Sequence, residues 1–105
     1  MSSTWVPGAG SEDDLVRRLH RQIERFAEQA AVPQTVVELQ LRDGSLFTLD
    51  TIASEPGYGF VTIRPHPEEG EPQQELILPL GSIARIVLSP PEERRERFGF
   101  TLPES

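Results

Sequence analysis

Residues 36–52 read Val36-Val37-Glu38-Leu39-Gln40-Leu41-Arg42-Asp43-Gly44-Ser45-Leu46-Phe47-Thr48-Leu49-Asp50-Thr51-Ile52, and their pattern decides the fold class. Val37, Leu39 and Leu41 alternate with Glu38, Gln40 and Arg42. That period of two belongs to a strand with one face buried and one wet. Asp43-Gly44 then supplies turn chemistry, because glycine tolerates the positive φ of a tight hairpin. A second strand is predicted over Ser45–Ile52, returning antiparallel to the first.

Reading toward the C-terminus, Glu55-Pro56-Gly57 is the next turn signal and Tyr58–Arg64 a third strand. Pro65–Gln74 is a polar, proline-rich hairpin loop. Two short runs follow, Glu75–Leu80 and Ile83–Leu88, joined by Gly81-Ser82. No helical segment separates these five strands to make crossovers, so a small antiparallel barrel or sandwich is expected in place of a parallel sheet.

Reading toward the N-terminus, residues 11–31 have a helical period. Leu15, Val16, Leu19, Ile23, Phe26, Ala27 and Ala30 trace one apolar stripe, with Arg17, Arg18, Arg21, Glu24, Arg25 and Glu28 opposite. Ser11 is placed to cap this helix, with Glu12, Asp13 and Asp14 at the positive end of its dipole. Val32-Pro33 is predicted to end it. The helix should cap one end of the barrel.

The domain is thus read as residues 11–89. Residues 1–10 form a flexible arm carrying Trp5, and residues 90–105 form a tail. That tail holds a charge-balanced stretch after Pro90-Pro91, then Phe98, Phe100 and Leu102, which alternate like a strand. It is expected to dock on its own barrel or on a neighbouring subunit.

Composition narrows the function classes. Ten arginines and no lysine face seventeen acids in 105 residues, a formal charge of −7. Residues 35–90 alone hold eight acids against three arginines. Nucleic-acid affinity needs cations facing phosphates, so this balance argues against a nucleic-acid partner. No apolar run approaches the ~20 residues of a membrane span, and no secretory signal opens the chain. With no cysteine there is no disulfide or thiolate chemistry, which fits the cytoplasm.

A helix followed by five short strands is the element order of the Sm-like small-barrel superfamily, which includes the Hfq-type RNA chaperones. The resemblance covers about residues 11–89. Val36 to Gly44 resembles the family's first strand and its Asp-Gly turn. Tyr58-Gly59-Phe60-Val61-Thr62-Ile63 resembles its third strand, and Leu80-Gly81-Ser82-Ile83-Ala84-Arg85-Ile86 its second motif. The resemblance implies a ring in which the fourth strand of one subunit pairs with the fifth of the next. It also implies RNA binding, and there the residues depart from the pattern. Leu49 stands at the bend glycine, Glu55 at the RNA-loop aspartate, Gly59 at the base-contacting asparagine and Leu80 at the arginine before the motif glycine. Gly59 and Leu80 offer a base neither donor nor charge. What remains for RNA is Tyr58 with Arg17, Arg21 and Arg25.

Three residues invite a chemical reading. His20 lies at the edge of the helix stripe and is read as a boundary residue. His66 precedes Glu68, Glu69 and Glu71, a set of metal-ligand types on what reads as a solvated hairpin tip. Asp50 lies inside an apolar-rich strand, where an acid is expected to point to solvent or to pair with an arginine, here Arg64 or Arg85. No phosphate loop, activated nucleophile or zinc spacing is present. The chain is therefore read as noncatalytic, with no cofactor and no metal.

Association is the positive signal. Leu76-Ile77-Leu78 and Ile86-Val87-Leu88 are apolar on both faces, which calls for cover on both sides. These six residues, with Phe98 and Phe100, form the expected homo-oligomer interface, and a further protein partner fits the same surface. Pro79 removes one ladder donor from the fourth strand. The functional expectation is a non-enzymatic protein-interaction or assembly module, the alternative an RNA-binding ring.

Overall fold

The computed structural model describes residues 11–91 and 98–103, with side chains from residue 14 onward. The arm at residues 1–10 with Trp5, the charged stretch at 92–97 and residues 104–105 lie outside the described residues. So do the capping side chains expected at Ser11, Glu12 and Asp13.

Helix α1 (Ser11–Ala30) precedes β1 (Val36–Leu41), β2 (Leu46–Gly57), β3 (Phe60–Pro65), β4 (Leu76–Pro79) and β5 (Ile83–Ser89). A single 3-10 turn over Leu80–Ser82 joins β4 to β5. All four strand pairings are antiparallel, in the order β4-β3-β2-β1-β5. The mainly-β fold with one N-terminal helix is therefore as expected. The sheet, however, is not closed: β4 and β5 are its two edges. β4 is only four residues long and ends on Pro79, which has no N–H, so it offers β5 a short and incomplete ladder.

The first hairpin forms where Asp43-Gly44 predicts it. Asp43 Oδ1 accepts the Ser45 N–H at 2.8 Å, and Gly44 takes φ +94°. Hydrogen bonds from Ser45 hold the Asp43 carboxyl below its ordinary value. Arg42 ties this turn to the neighbouring 3-10 turn before β5, its Nε donating to the Gly81 carbonyl at 2.6 Å.

β2 departs from the expected Ser45–Ile52. It continues through Glu55-Pro56-Gly57, and the chain reverses at Tyr58-Gly59 instead. Gly57 pairs with Phe60, leaving Tyr58 (φ 58°) and Gly59 (φ 88°) as the two central residues of the turn. Positive φ at both positions is the requirement of the two-residue hairpin whose twist matches the strands. The extra length lets β2 serve two partners, β1 through Leu46–Thr48 and β3 from Leu49 onward. The β2–β3 register shifts between Leu49 and Thr51, so Asp50 is the extra residue of a bulge.

The inner face carries the core: Val37 and Leu39 of β1, Leu49 and Ile52 of β2, Val61 and Ile63 of β3. Helix α1 packs there through Val16 and Ile23, chiefly against β2. Leu19 packs beside them, while Leu15 is 40% exposed and Ala30 lies outside the contact. The helix ends by a tighter device than Pro33 alone. Ala31 adopts φ 55°, its N–H reaches the Glu28 carbonyl, and the Val32 N–H reaches the Ala27 carbonyl at 3.0 Å. This is the Schellman arrangement, in which glycine is the favoured left-handed residue. Ala31→Gly is accordingly expected to stabilise the domain by about 0.5–1 kcal/mol. A thermal melt would show the midpoint rising by about 3–6 °C.

The tail docks on its own domain. The Phe100 N–H donates to the Thr35 carbonyl (2.8 Å) and the Thr101 N–H to the Asp50 carbonyl (2.7 Å). Phe100 is 4% exposed and belongs to the core. Gly99 passes so close to Gln34 that a Cβ there would lie 2.9 Å from the Gln34 Cβ.

Candidate functional site

Among the described residues, two surfaces carry features beyond folding: the open sheet edges and a cavity beside the loop after β3.

On the edges, the alternation of the strands sorts the eight residues expected at an oligomer interface. Leu76 and Leu78 of β4, and Ile86 and Leu88 of β5, pack against the core from the inner face. Ile77 (60% exposed) and Val87 (39%) face outward. Ile77 lies opposite Thr62, and Pro79 opposite Phe60, itself 41% exposed. The outer face of the β3–β4 half therefore exposes Phe60, Ile77 and Pro79, with Tyr58, 86% exposed, at the adjoining turn. Phe100 leaves the expected interface altogether, because it fills its own domain's core. Phe98 is half-buried and meets the His66 ring edge-on at 5.6 Å. Among the residues expected for RNA, Arg17, Arg21 and Arg25 lie along the exposed face of α1.

The cavity, about 410 Å³, opens between the start of β2, the loop after β3 and the tail. Leu46, Phe47 and Phe98 contribute apolar surface, and Glu68, Glu69 and Glu71 also line it. The loop that carries these acids is pinned and not a free hairpin tip. The His66 N–H donates to the Thr48 carbonyl (2.8 Å), Gln73 Nε2 to the Pro65 carbonyl (2.8 Å), and the Glu71 N–H to the Glu68 carbonyl (2.9 Å).

His66 is correspondingly not solvated: its side chain is 14% exposed. Its Nε2 lies 2.9 Å from the Gly99 carbonyl, which as an acceptor requires the proton on that nitrogen. The same Nε2 lies 3.9 Å from Asp50 Oδ1. Asp50 Oδ1 in turn accepts the Thr101 hydroxyl at 2.6 Å. Arg64, expected as an Asp50 partner, instead pairs with Glu75 at 2.6 Å. Both chemically suggestive residues thus hold the tail. The sequence hinted at this only through Thr101, a polar residue set between Phe100 and Leu102. Among the described residues, no three His, Asp or Glu side chains gather as a metal site would require. Among the described residues, no helix is long and apolar enough to cross a membrane.

His20 sits beside the same tail, its ring 5.7 Å from that of Phe100. Burial lowers its pKa below the ordinary 6.5, partly offset by a hydrogen bond to the Ile52 backbone. The unfolded chain therefore takes up this proton before the folded one does. Stability contributed by neutral His20 is whole above pH 6.5 and is lost as pH falls below it. Urea melts between pH 7.5 and 5 should show a smaller acid loss in His20→Asn than in the parent. Equal losses in both would assign the acid sensitivity elsewhere.

Against protein-family models, curated proteins and solved structures, the chain finds no match.

Proposed function

We propose that this chain is a noncatalytic Sm-like domain that assembles with copies of itself, edge to edge, and serves as a protein-interaction module. The observation that carries this reading is the pair of open edges. β4 and β5 both end the sheet, and each bears an outward apolar residue, Ile77 and Val87. An unpaired edge with exposed apolar side chains is a template for another strand, and natural proteins usually cover or charge it. Pairing β4 of one copy with β5 of the next uses both edges at once and, if the rotation closes, leaves none. The bent, shared β2 and the 3-10 turn between β4 and β5 agree with the resemblance of residues 11–89 to that superfamily. The noncatalytic part rests on His66 and Asp50, whose Nε2 and Oδ1 are engaged in holding Gly99 and Thr101.

Light scattering on the full chain at micromolar concentration tests the assembly. A mass several times 11.8 kDa is expected. A monomer at that concentration would overturn it.

The second reading, an RNA-binding ring, is favoured by Tyr58 alone. Its ring is 86% exposed at the tip of the β2–β3 turn, where a base could stack on it. Filter binding of uridine-rich and adenine-rich RNA at low salt tests this reading. Retention lost on Tyr58→Ala would support it, and no retention of either RNA would end it.

A further inference from the structure

We propose that the slot holding Phe98 to Thr101 is a recognition site for an extended segment, and that in the assembled protein it takes the tail of the neighbouring copy. The inference rests on the edge-to-edge reading given above.

The chain's own tail shows what the slot recognises. Its contacts are those of a strand added to a sheet, where main-chain N–H groups supply affinity and side-chain pockets supply selectivity. The Phe100 and Thr101 N–H groups donate to carbonyls of two separate segments, Thr35 before β1 and Asp50 in β2. Phe100 enters the core, its ring 5.7 Å from that of His20. The position before it must be small, since a Cβ on Gly99 would lie 2.9 Å from the Gln34 Cβ. His66 Nε2 donates to the Gly99 carbonyl, and Asp50 Oδ1 accepts the Thr101 hydroxyl. All of the receiving groups precede the tail in the chain, so the slot selects an extended Gly-Phe-Thr whichever copy supplies it.

The strand levels decide which copies are in reach. Ser89, the last residue of β5, lies opposite Val36 and so beside Thr35. At the same end of the sheet, Thr51 lies opposite Arg64, and Ile63 opposite Leu76, the first residue of β4. When a neighbour's β4 pairs antiparallel with β5, its first residue meets the last residue of β5. Ser89 then stands level with two slots, its own and the neighbour's. The neighbour's β2 lies three strand spacings from β5, about 14 Å. The ten residues from Pro90 to Gly99 reach about 33 Å when extended.

The connection favours the longer path. To fill its own slot it must come back to Thr35, beside the strand partner of Ser89, where it began. Pro90-Pro91 at its start fix φ and oppose a tight reversal. Exchange keeps every contact of the tail and adds a tie between copies through the chain itself. Edge pairing holds the two slots close together, so the second contact forms at a high effective concentration.

The test places a disulfide across the slot, in a chain with no cysteine of its own. The Asp50 and Thr101 side chains meet at 2.6 Å, so Asp50→Cys/Thr101→Cys lies within bonding reach. Air oxidation of the full chain at micromolar concentration, read on a non-reducing gel, should give a ladder of linked copies that reduction collapses. Thr101→Cys alone should stop at the dimer. Isotope-filtered nuclear Overhauser spectra of labelled and unlabelled parent chains, mixed from the unfolded state, read the same contact with no substitution. Cross-peaks are expected between the Phe100 ring of one chain and the His20 ring of another. An internally linked monomer, or no cross-peaks between chains, in a sample that light scattering shows assembled would overturn the exchange and leave the edge pairing standing. A monomer by light scattering would overturn both.

Discussion

Phe100→Ala should lower the unfolding free energy by about 3–5 kcal/mol, the range for deleting a buried phenylalanine ring. The ring is 4% exposed and sits in the core with Val16, Ile23 and Leu49. Its loss removes apolar burial and also leaves a void between helix and sheet that close packing cannot easily fill. Domains of this size have only about 5–15 kcal/mol in total, so much of the margin would go. Phe98→Ala supplies the comparison. That ring is half-buried at the cavity, and its removal should cost only about 1 kcal/mol. Urea unfolding followed by tryptophan-independent dichroism would separate the two. A loss under 1 kcal/mol for Phe100→Ala would mean that the tail is an accessory and not part of the core.

The second large effect concerns assembly. If β4 of one copy continues the sheet onto β5 of the next, the outer face runs across the seam and brings Ile77 into the same region as the neighbour's Val87. The double substitution Ile77→Glu/Val87→Glu places like charges there and takes away apolar contact. It should raise the protomer dissociation constant by about a hundredfold, leaving a monomer at micromolar concentration. The pair Ile77→Glu/Val87→Arg changes the same two positions but opposes the charges, and should restore part of the assembly. Neither substitution enters the core, since both side chains point outward from the folded domain. Sedimentation velocity reads the outcome. Loss of assembly in both variants alike would point to apolar contact as the determinant, and no loss in either would place the interface elsewhere.

Much of the fold is legible in local pattern. The stripe from Val16 to Ala27 and the alternation through Val37, Leu39 and Leu41 report which face each element buries, because burial is what selects those residues. The Asp43-Gly44 turn is legible for the same local reason, a backbone that few other residues accept. The second reversal is not. Glu55-Pro56-Gly57 has the composition of a turn, yet the strand runs through it and Tyr58 takes the left-handed position. Pairing with β3 decides that boundary, and pairing is a property of two segments.

The candidate site was less legible. Asp50 in an apolar strand reads as solvent-facing or arginine-paired, and His66 beside three glutamates reads as part of a solvated loop. Neither residue is held by its neighbours in sequence. The tail, some fifty residues from Asp50 in the chain, supplies Thr101, and its Gly99 carbonyl meets His66. Phe100 could be recognised as needing cover, but not whose core would cover it.

By itself, the sequence determined the class of each element, the side it buries, the acidic balance and the lack of cysteine chemistry. These follow from residue type and spacing, which act over one turn of helix or a few residues of strand. Tertiary structure alone decided that the sheet stays open between β4 and β5, that Asp50 becomes a bulge, and that the tail completes the core and walls the cavity. Those outcomes depend on contacts between distant segments, whose free energy exists only once the chain has brought them together.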